Sequence, residues 1–131
     1  MREPSRLFAT DRGYRKLEVW RLAMEGVEYV YSVTRHFPRE ERYALTDQLR
    51  RAAVSIPSNL AEGNERRTNA DQLRFATNAR GSLAELETQL EIAYRLGYAD
   101  EPDLEPTMDL LDHLGRKLHR FYDSVARREA R

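Results

Sequence analysis

Residues 48–63 of the chain read QLRRAAVSIPSNLAEG, and this stretch decides the fold. Its apolar residues recur every three or four positions, which is the spacing of one face of an α-helix. A polar stripe with the same spacing runs beside that face: Gln48, Arg51, Ser55, Asn59 and Glu62. A helix that only packed on a core would need no such stripe. The stretch therefore predicts a helix with a second, polar packing face.

Pro57 lies inside this helix and predicts a kink there. A proline in a helix interior removes one backbone hydrogen bond and crowds the preceding turn, at a cost of about 3 kcal/mol. The alternative is a break, after which Ser55 or Asn59 would cap a new helix. The apolar period continues from Leu45 to Leu60 without a change of phase, and this favours the kink.

Three further segments have helical periodicity. The first carries an apolar stripe at Leu17, Trp20, Met24, Val27, Tyr31 and Thr34. It is expected to end near Pro38, because the residue before a proline is disfavoured in the α region, and Pro38 is expected to open the second helix. The last segment begins around residues 100–106. Its acids come first and its arginines last, which complements the helix dipole.

The third helix is expected to begin at a Thr68 cap and to end at Gly97, which suits the position after a helix C-terminus. Gly81 is expected to let a neighbouring helix approach closely. Four helices joined by short connections predict an all-α fold, an antiparallel up-down-up-down four-helix bundle. The bundle is expected at residues 14–126, between a flexible N-terminal arm (1–13) and a C-terminal tail (127–131).

Composition narrows the class of protein. The 131 residues include 40% hydrophobic residues, enough for a core, and no cysteine, which excludes disulfides and thiolate metal sites. No apolar run approaches the ~20 residues of a membrane span, and no secretory signal begins the chain. We expect a cytoplasmic protein without a membrane partner. Its net charge is zero, although residues 1–80 hold 15 basic and 11 acidic residues, and residues 81–131 hold 7 and 11.

The residue pattern predicts no enzyme, no metal site and no cofactor. His113 and His119 are six positions apart, about 240° around a helix, and so cannot share a metal from one face. The Glu-x-x-His pairs of dimetal bundles are absent, as are phosphate-binding loops and nucleophile elbows.

The polar stripe of the second helix has a counterpart on the third. Ser82, Glu85 and Gln89 recur there at helical spacing. If the two helices are antiparallel neighbours, Arg50 or Arg51 could meet Glu85, and the other polar residues could bond to Ser82 or Gln89. Two interpretations stay open: an internal network that fixes helix register, and an interface with another subunit.

Arginines cluster at the connections between the helices. The candidates for nucleic-acid contact are Arg39, Arg42, Arg50, Arg51, Arg66 and Arg67. Phosphate contacts by such residues bind without sequence preference and weaken with salt. The alternative is that these arginines pair with nearby glutamates or close salt bridges between subunits. An antiparallel bundle places the two connections at opposite ends, so only an oligomer would repeat them around an axis.

Three stretches resemble one known family: LEVW (17–20), FPREERYALTDQLRRAAVSIPSNLAEG (37–63) and GSLAELETQLEIAYRLGY (81–98). They are similar to the four-helix-bundle proteins encoded within intervening sequences of bacterial 23S rRNA genes, over about residues 14–125. The resemblance implies a ring, a homopentamer, with no catalytic residues. The architecture is also similar to accessory proteins of diversity-generating retroelements, which bind a reverse transcriptase and nucleic acid.

These observations together predict a non-enzymatic oligomeric interaction module. Its expected partners are further copies of itself, RNA or DNA, and a partner protein. The alternative is a structural or regulatory protein assembly that binds no nucleic acid.

Overall fold

Four α-helices dominate the computed structural model, which describes residues 2–3 and 5–131. They are α1 (Glu18–Thr34), α2 (Leu45–Asn64), α3 (Asn69–Arg95) and α4 (Glu101–Ala130). Each helix packs on the next, and α1 also packs on α4, which closes the bundle. These residues include no strand, and the all-α prediction is confirmed.

Leucines from α2, α3 and α4 are the commonest residues of the core. The largest fully buried side chains are Leu49, Ile56, Leu60, Leu86, Leu90, Leu111, Leu114 and Leu118. Burial of one such side chain contributes about 1.5–3 kcal/mol. Within the described residues no helix has the length and apolar character that crossing a lipid bilayer requires.

The buried face of α1 agrees with the predicted one only in part: Thr34 is buried and Leu17, Trp20 and Val27 are half-buried against the core, but the most deeply buried row is another one. Val19, Ala23, Gly26 and Val30 face the core, whereas Met24 and Tyr31 are 44% and 40% exposed. The helix carries two adjacent apolar rows, and the periodicity favoured the row with larger side chains. The row of small residues is the one buried, because it lets α1 lie close to α4: a Cβ added at Gly26 would be 3.7 Å from Leu111.

The start of α2 also differs from the prediction. Pro38 does not open α2; Arg39–Glu41 form a separate 3-10 turn, and α2 begins at Leu45. The backbone of Ala44 (φ −123°, ψ −106°) lies outside the helical region and separates the two. From there α2 continues through Pro57, so the alternative of a break is wrong, and the favoured kink stays a prediction.

The predicted ends of α3 are confirmed. The Thr68 side chain accepts a hydrogen bond from the Asp71 amide at 3.1 Å. At the other end Gly97 has φ +79°, and the Tyr98 amide donates to the Ala93 carbonyl at 2.9 Å, as in a Schellman motif.

Close packing depends on a different glycine from the one predicted. A Cβ at Gly81 would meet nothing within 4 Å, so this glycine does not set a helix distance. A Cβ at Gly63 would be 2.8 Å from the Phe75 Cβ. Of the glycines in α2 and α3, Gly63 is therefore the one that allows the two helices to approach closely.

The two terminal segments contain regular structure. The predicted arm includes 3-10 turns at Arg6–Phe8 and Gly13–Lys16, while its residues 1 and 4 lie outside the described residues. The predicted tail, residues 127–131, continues α4 as far as Ala130.

Candidate nucleic-acid and subunit interfaces

The polar stripes of α2 and α3 meet in a seam between the two helices. The Ser55 and Ser82 hydroxyls lie 2.8 Å apart. The Asn59 side-chain amide donates to the Ser55 carbonyl at 2.8 Å and to its hydroxyl at 2.9 Å. These bonds fix the register of α2 against α3 at this level of the bundle.

Gln89 continues the seam toward the other end. Its side-chain amide donates to Glu85 at 3.1 Å and, at a longer 3.5 Å, to Gln48. Gln89 is only 6% exposed, and its own carbonyl oxygen accepts no hydrogen bond within the described residues. Six of the eight predicted seam residues thus lie together.

The other two, Arg51 and Glu62, face solvent. The Arg51 guanidinium pairs with Asp47 at 2.9 Å on its own helix and is 80% exposed. Glu62 is exposed near the end of α2. Glu85 accepts a hydrogen bond from Gln89. The expected contact of Glu85 with Arg50 or Arg51 is not formed.

The Arg50 side chain is half-buried and contacts α1. Its Nε donates to the Thr34 hydroxyl at 2.9 Å, and its guanidinium lies 4.4 Å from the centre of the Tyr31 ring. A cation over an aromatic face is attracted by the ring, so both contacts hold Arg50 against α1. Among the candidate arginines, Arg50 therefore links α1 to α2 in this structure.

The remaining candidates form two exposed pairs. Arg39 and Arg42 lie in the α1–α2 connection, where Arg42 stacks on the highly exposed Tyr43 at 5.6 Å. Arg66 and Arg67 lie in the α2–α3 connection. The 20 residues of α2 separate the pairs by about 30 Å. The predicted arginines thus do not converge on one site.

The structure adds arginines from α4 to the second pair. The Asn69 side-chain amide, at the start of α3, donates to the Arg128 carbonyl at 3.1 Å. This bond brings the last turn of α4 beside the α2–α3 connection. The sequence pattern of α4 indicates only a helix-dipole role for these arginines. The antiparallel topology, applied to α4 as well, would have placed them here.

Charge is consequently separated along the bundle. We define the basic end as residues 5–21, 62–74 and 116–131, which hold 14 basic and 7 acidic residues. The opposite end, which we call the acidic end, combines residues 31–51 and 85–112 and holds 12 acidic and 6 basic residues. The chain is neutral overall, and its two ends carry net charges of opposite sign.

Glu87 is a partly buried carboxylate at the acidic end. Burial, and to a lesser degree the Asp112 carboxylate, raises the pKa of Glu87. Asp112 is itself bonded to Arg116 on the same helix. The ionised form of Glu87 is therefore disfavoured in the folded protein.

The Glu87→Gln variant should be slightly more stable than the parent protein at neutral pH. A raised folded-state pKa means that stability falls as the pH rises from the ordinary value of 4.5 through the raised one. The advantage of glutamine should therefore be complete at pH 7 and absent at about pH 3.5, where both states carry a neutral side chain. Melting temperatures of both proteins at the two pH values would check this. An equal difference at both would contradict it.

A row of apolar side chains on α1 and α2, the outward apolar row, is partly open to solvent: Met24 and Val54 are exposed, while Trp20 and Val27 are half-buried against the core. Trp20, Met24 and Val27 of α1 line a groove of about 510 Å³ together with Val54 and Pro57 of α2. Met24 and Val54 are 44% and 42% exposed. Exposed apolar surface of this kind marks interaction sites on many soluble proteins.

Most of the chain matches a family of known proteins. Residues 15–120 match the family described as 23S rRNA-intervening sequence protein. No curated protein matches the chain. The matched region includes the seam and the α2–α3 connection, while the arm and the last turns of α4 lie outside it.

Among the described residues, no group of three or more metal-binding side chains comes together.

Proposed function

This chain belongs to the 23S rRNA-intervening sequence protein family, and on that basis we propose that it is a non-enzymatic, cytoplasmic interaction module that self-associates and binds nucleic acid. The basic end is the nucleic-acid surface in this proposal. Its arginines contact phosphates, without reading sequence.

The hydrogen bond between Asn69 and Arg128 is the observation that carries the proposal. It gathers arginines from two separate parts of the chain at one end. Arg66, Arg67, Arg127 and Arg128 are all exposed, and none makes a salt bridge in the part of the chain that the structure describes. Guanidinium groups suit this role because their planar donors match phosphate oxygens. A polyanion would repel the acidic end. The protein would therefore bind nucleic acid with its basic end toward the phosphates.

The outward apolar row supports self-association. Trp20, Met24 and Val54 would be covered in an oligomer, and the resemblance implies a pentameric ring. In such a ring each basic end is repeated around the axis. Several weak phosphate contacts then act on one nucleic acid together, which raises the overall affinity.

Sedimentation of the purified protein tests both parts of the proposal. Alone, the protein should sediment as a multiple of its 15.4 kDa mass, five for the ring. With a structured RNA, the protein should co-sediment at about 50 mM salt and be largely dissociated at about 200 mM salt. The reason is that phosphate contacts release cations from the RNA, and a higher salt concentration makes this release less favourable. Binding that is equal at the two salt concentrations would overturn the nucleic-acid part.

The outward apolar row also favours a second candidate function, a protein assembly without nucleic acid. In that case the exposed Arg51, and the arginines of the helix connections, close salt bridges between subunits. The Arg51→Ala variant would then dissociate the oligomer. The first proposal predicts instead that this variant keeps the parent's subunit number.

A further inference from the structure

A groove with an apolar floor and acidic rims runs between α3 and α4. Its volume is about 630 Å³, and its floor is formed by Leu90, Leu104 and Met108. The rims carry one pair of glutamates from each helix: Glu87 and Glu91, and Glu101 and Glu105. The groove lies at the acidic end of the bundle.

Most of the rim carboxylates have no cationic partner. Glu91 pairs with Arg95 at 2.7 Å, but Glu87, Glu101 and Glu105 make no salt bridge among residues 2–3 and 5–131. The helix dipole accounts for an acid at Glu101, in the first turn of α4, but not for Glu87 within α3. A cation above the rims would relieve this repulsion, so the groove is complementary to a basic segment with apolar side chains.

Residues 5–12, which we call the arm segment, combine two arginines and two large apolar side chains with one acid, Asp11, and carry a net charge of +1. Their 3-10 turn exposes 78% of Leu7 and 61% of Phe8, with Arg6 directly before them and Arg12 close behind. The turn packs on no other helix or turn among the described residues. The Leu7 amide donates to the Ser5 hydroxyl at 3.2 Å, which caps the turn and presents both apolar side chains to solvent.

The arm segment cannot reach the groove of its own molecule. It leaves the bundle at Gly13, beside Asn64 and the α2–α3 connection. The six Cα-to-Cα steps from Leu7 to Gly13 span at most about 21 Å when extended. The floor at Leu90 lies 21 residues beyond the start of α3, about 32 Å along its axis. An arm segment in this groove must therefore come from another copy.

We propose that the arm segment of one copy docks in the α3–α4 groove of a second copy. Leu7 and Phe8 cover the apolar floor, and Arg6 and Arg12 lie over the glutamate rims. The inference rests on the self-association in the proposed function and adds a second contact to the one at the outward apolar row. The contact is heterologous, because each copy donates one surface and receives on another, and such contacts generate rings when their rotation closes.

A peptide experiment tests the contact directly. The target is the full chain carrying Leu7→Ser and Phe8→Ser, so that its own arm segments do not compete. The probe is a synthetic peptide of residues 2–13, and the control peptide carries the same two serines. Calorimetric titration should show at least tenfold tighter binding of the probe. Adding Glu101→Lys and Glu105→Lys to the target should weaken that binding at least tenfold.

A matched variant controls for net charge. Glu25→Lys and Glu28→Lys change the same charge at exposed positions of α1, away from the groove, and should leave peptide binding unchanged. The inference is overturned if the probe binds no better than the serine peptide. It is also overturned if the groove variant and the α1 variant bind the probe equally. Circular dichroism of each target shows that it is folded.

Sedimentation of the full chains separates this inference from the proposed function. The Leu7→Ser/Phe8→Ser and Glu101→Lys/Glu105→Lys variants should each weaken self-association at least tenfold, and their combination should add little. If the parent chain and both variants assemble equally, self-association stands and the arm contact is wrong. If the parent chain is monomeric at all concentrations, the self-association of the proposed function fails. Peptide binding to such a monomer would mean that the groove takes a basic segment of another protein.

Discussion

Reversing the charges of Arg66, Arg67 and Arg128 to glutamate should weaken binding to structured RNA at least thirtyfold, on the order expected for three lost phosphate contacts at low salt. The slope of log affinity against log salt should become shallower by about 2.7, since each phosphate contact contributes about 0.9. All three side chains are exposed, and only Arg66 has an aromatic contact, with Phe75 at 4.7 Å. The fold should therefore persist. Fluorescence anisotropy at several salt concentrations measures both quantities.

The matched control reverses Arg35, Arg39 and Arg42. These arginines are also exposed, but they lie at the other end of α2. The control changes net charge equally and should reduce affinity far less, because its arginines are not gathered with those of α4. Equal losses in the two variants would show that the basic end is not the binding surface. Absence of binding by the parent protein would favour the assembly without nucleic acid.

Replacing Gly63 with alanine should destabilise the fold by about 1–3 kcal/mol, as overpacking of a close helix contact does. The new Cβ would lie 2.8 Å from the Phe75 Cβ, which is fixed to the backbone of α3. No rotamer change can remove this clash, so α2 and α3 must separate. The higher helix propensity of alanine offsets only part of the cost, since it is worth about 0.5–1 kcal/mol in a helix interior.

Gly81→Ala is the matched control in the same pair of helices. Its added Cβ meets nothing within 4 Å, so the helix propensity acts alone and should stabilise the fold by about 0.5–1 kcal/mol. Urea unfolding of the parent and both variants would show opposite shifts of the midpoint. A Gly63→Ala protein as stable as the parent would mean that α2 and α3 can separate at no cost.

Local signals predicted the helices and several of their ends. The Thr68 cap and Gly97 act through hydrogen bonds to residues only a few positions away, so the sequence contains all the information. Part of the seam was also predictable. Ser55 and Ser82 meet because two antiparallel neighbours with polar stripes have few ways to satisfy them.

The candidate sites were predicted less completely, because their residues depend on partners far away in the chain. Arg50 turns toward Tyr31 and Thr34, whereas the neighbouring Arg51 stays on its own helix with Asp47. No periodicity distinguishes these two arginines. The proposed contact between the arm segment and the α3–α4 groove also depends on their positions at opposite ends of the bundle. The sequence alone does not give these positions.

The sequence by itself determined the number of helices, their amphipathic character and the all-α class, because helical period and capping are short-range properties. Only the tertiary structure decided which of two apolar rows on α1 is buried, and that Gly63 rather than Gly81 sets the helix distance. It also placed Arg128 beside Asn69, and so separated the charges of a neutral chain into a basic and an acidic end. These outcomes depend on which surfaces fit closest together when four helices pack. The residue pattern of a single helix does not specify which helices it will contact.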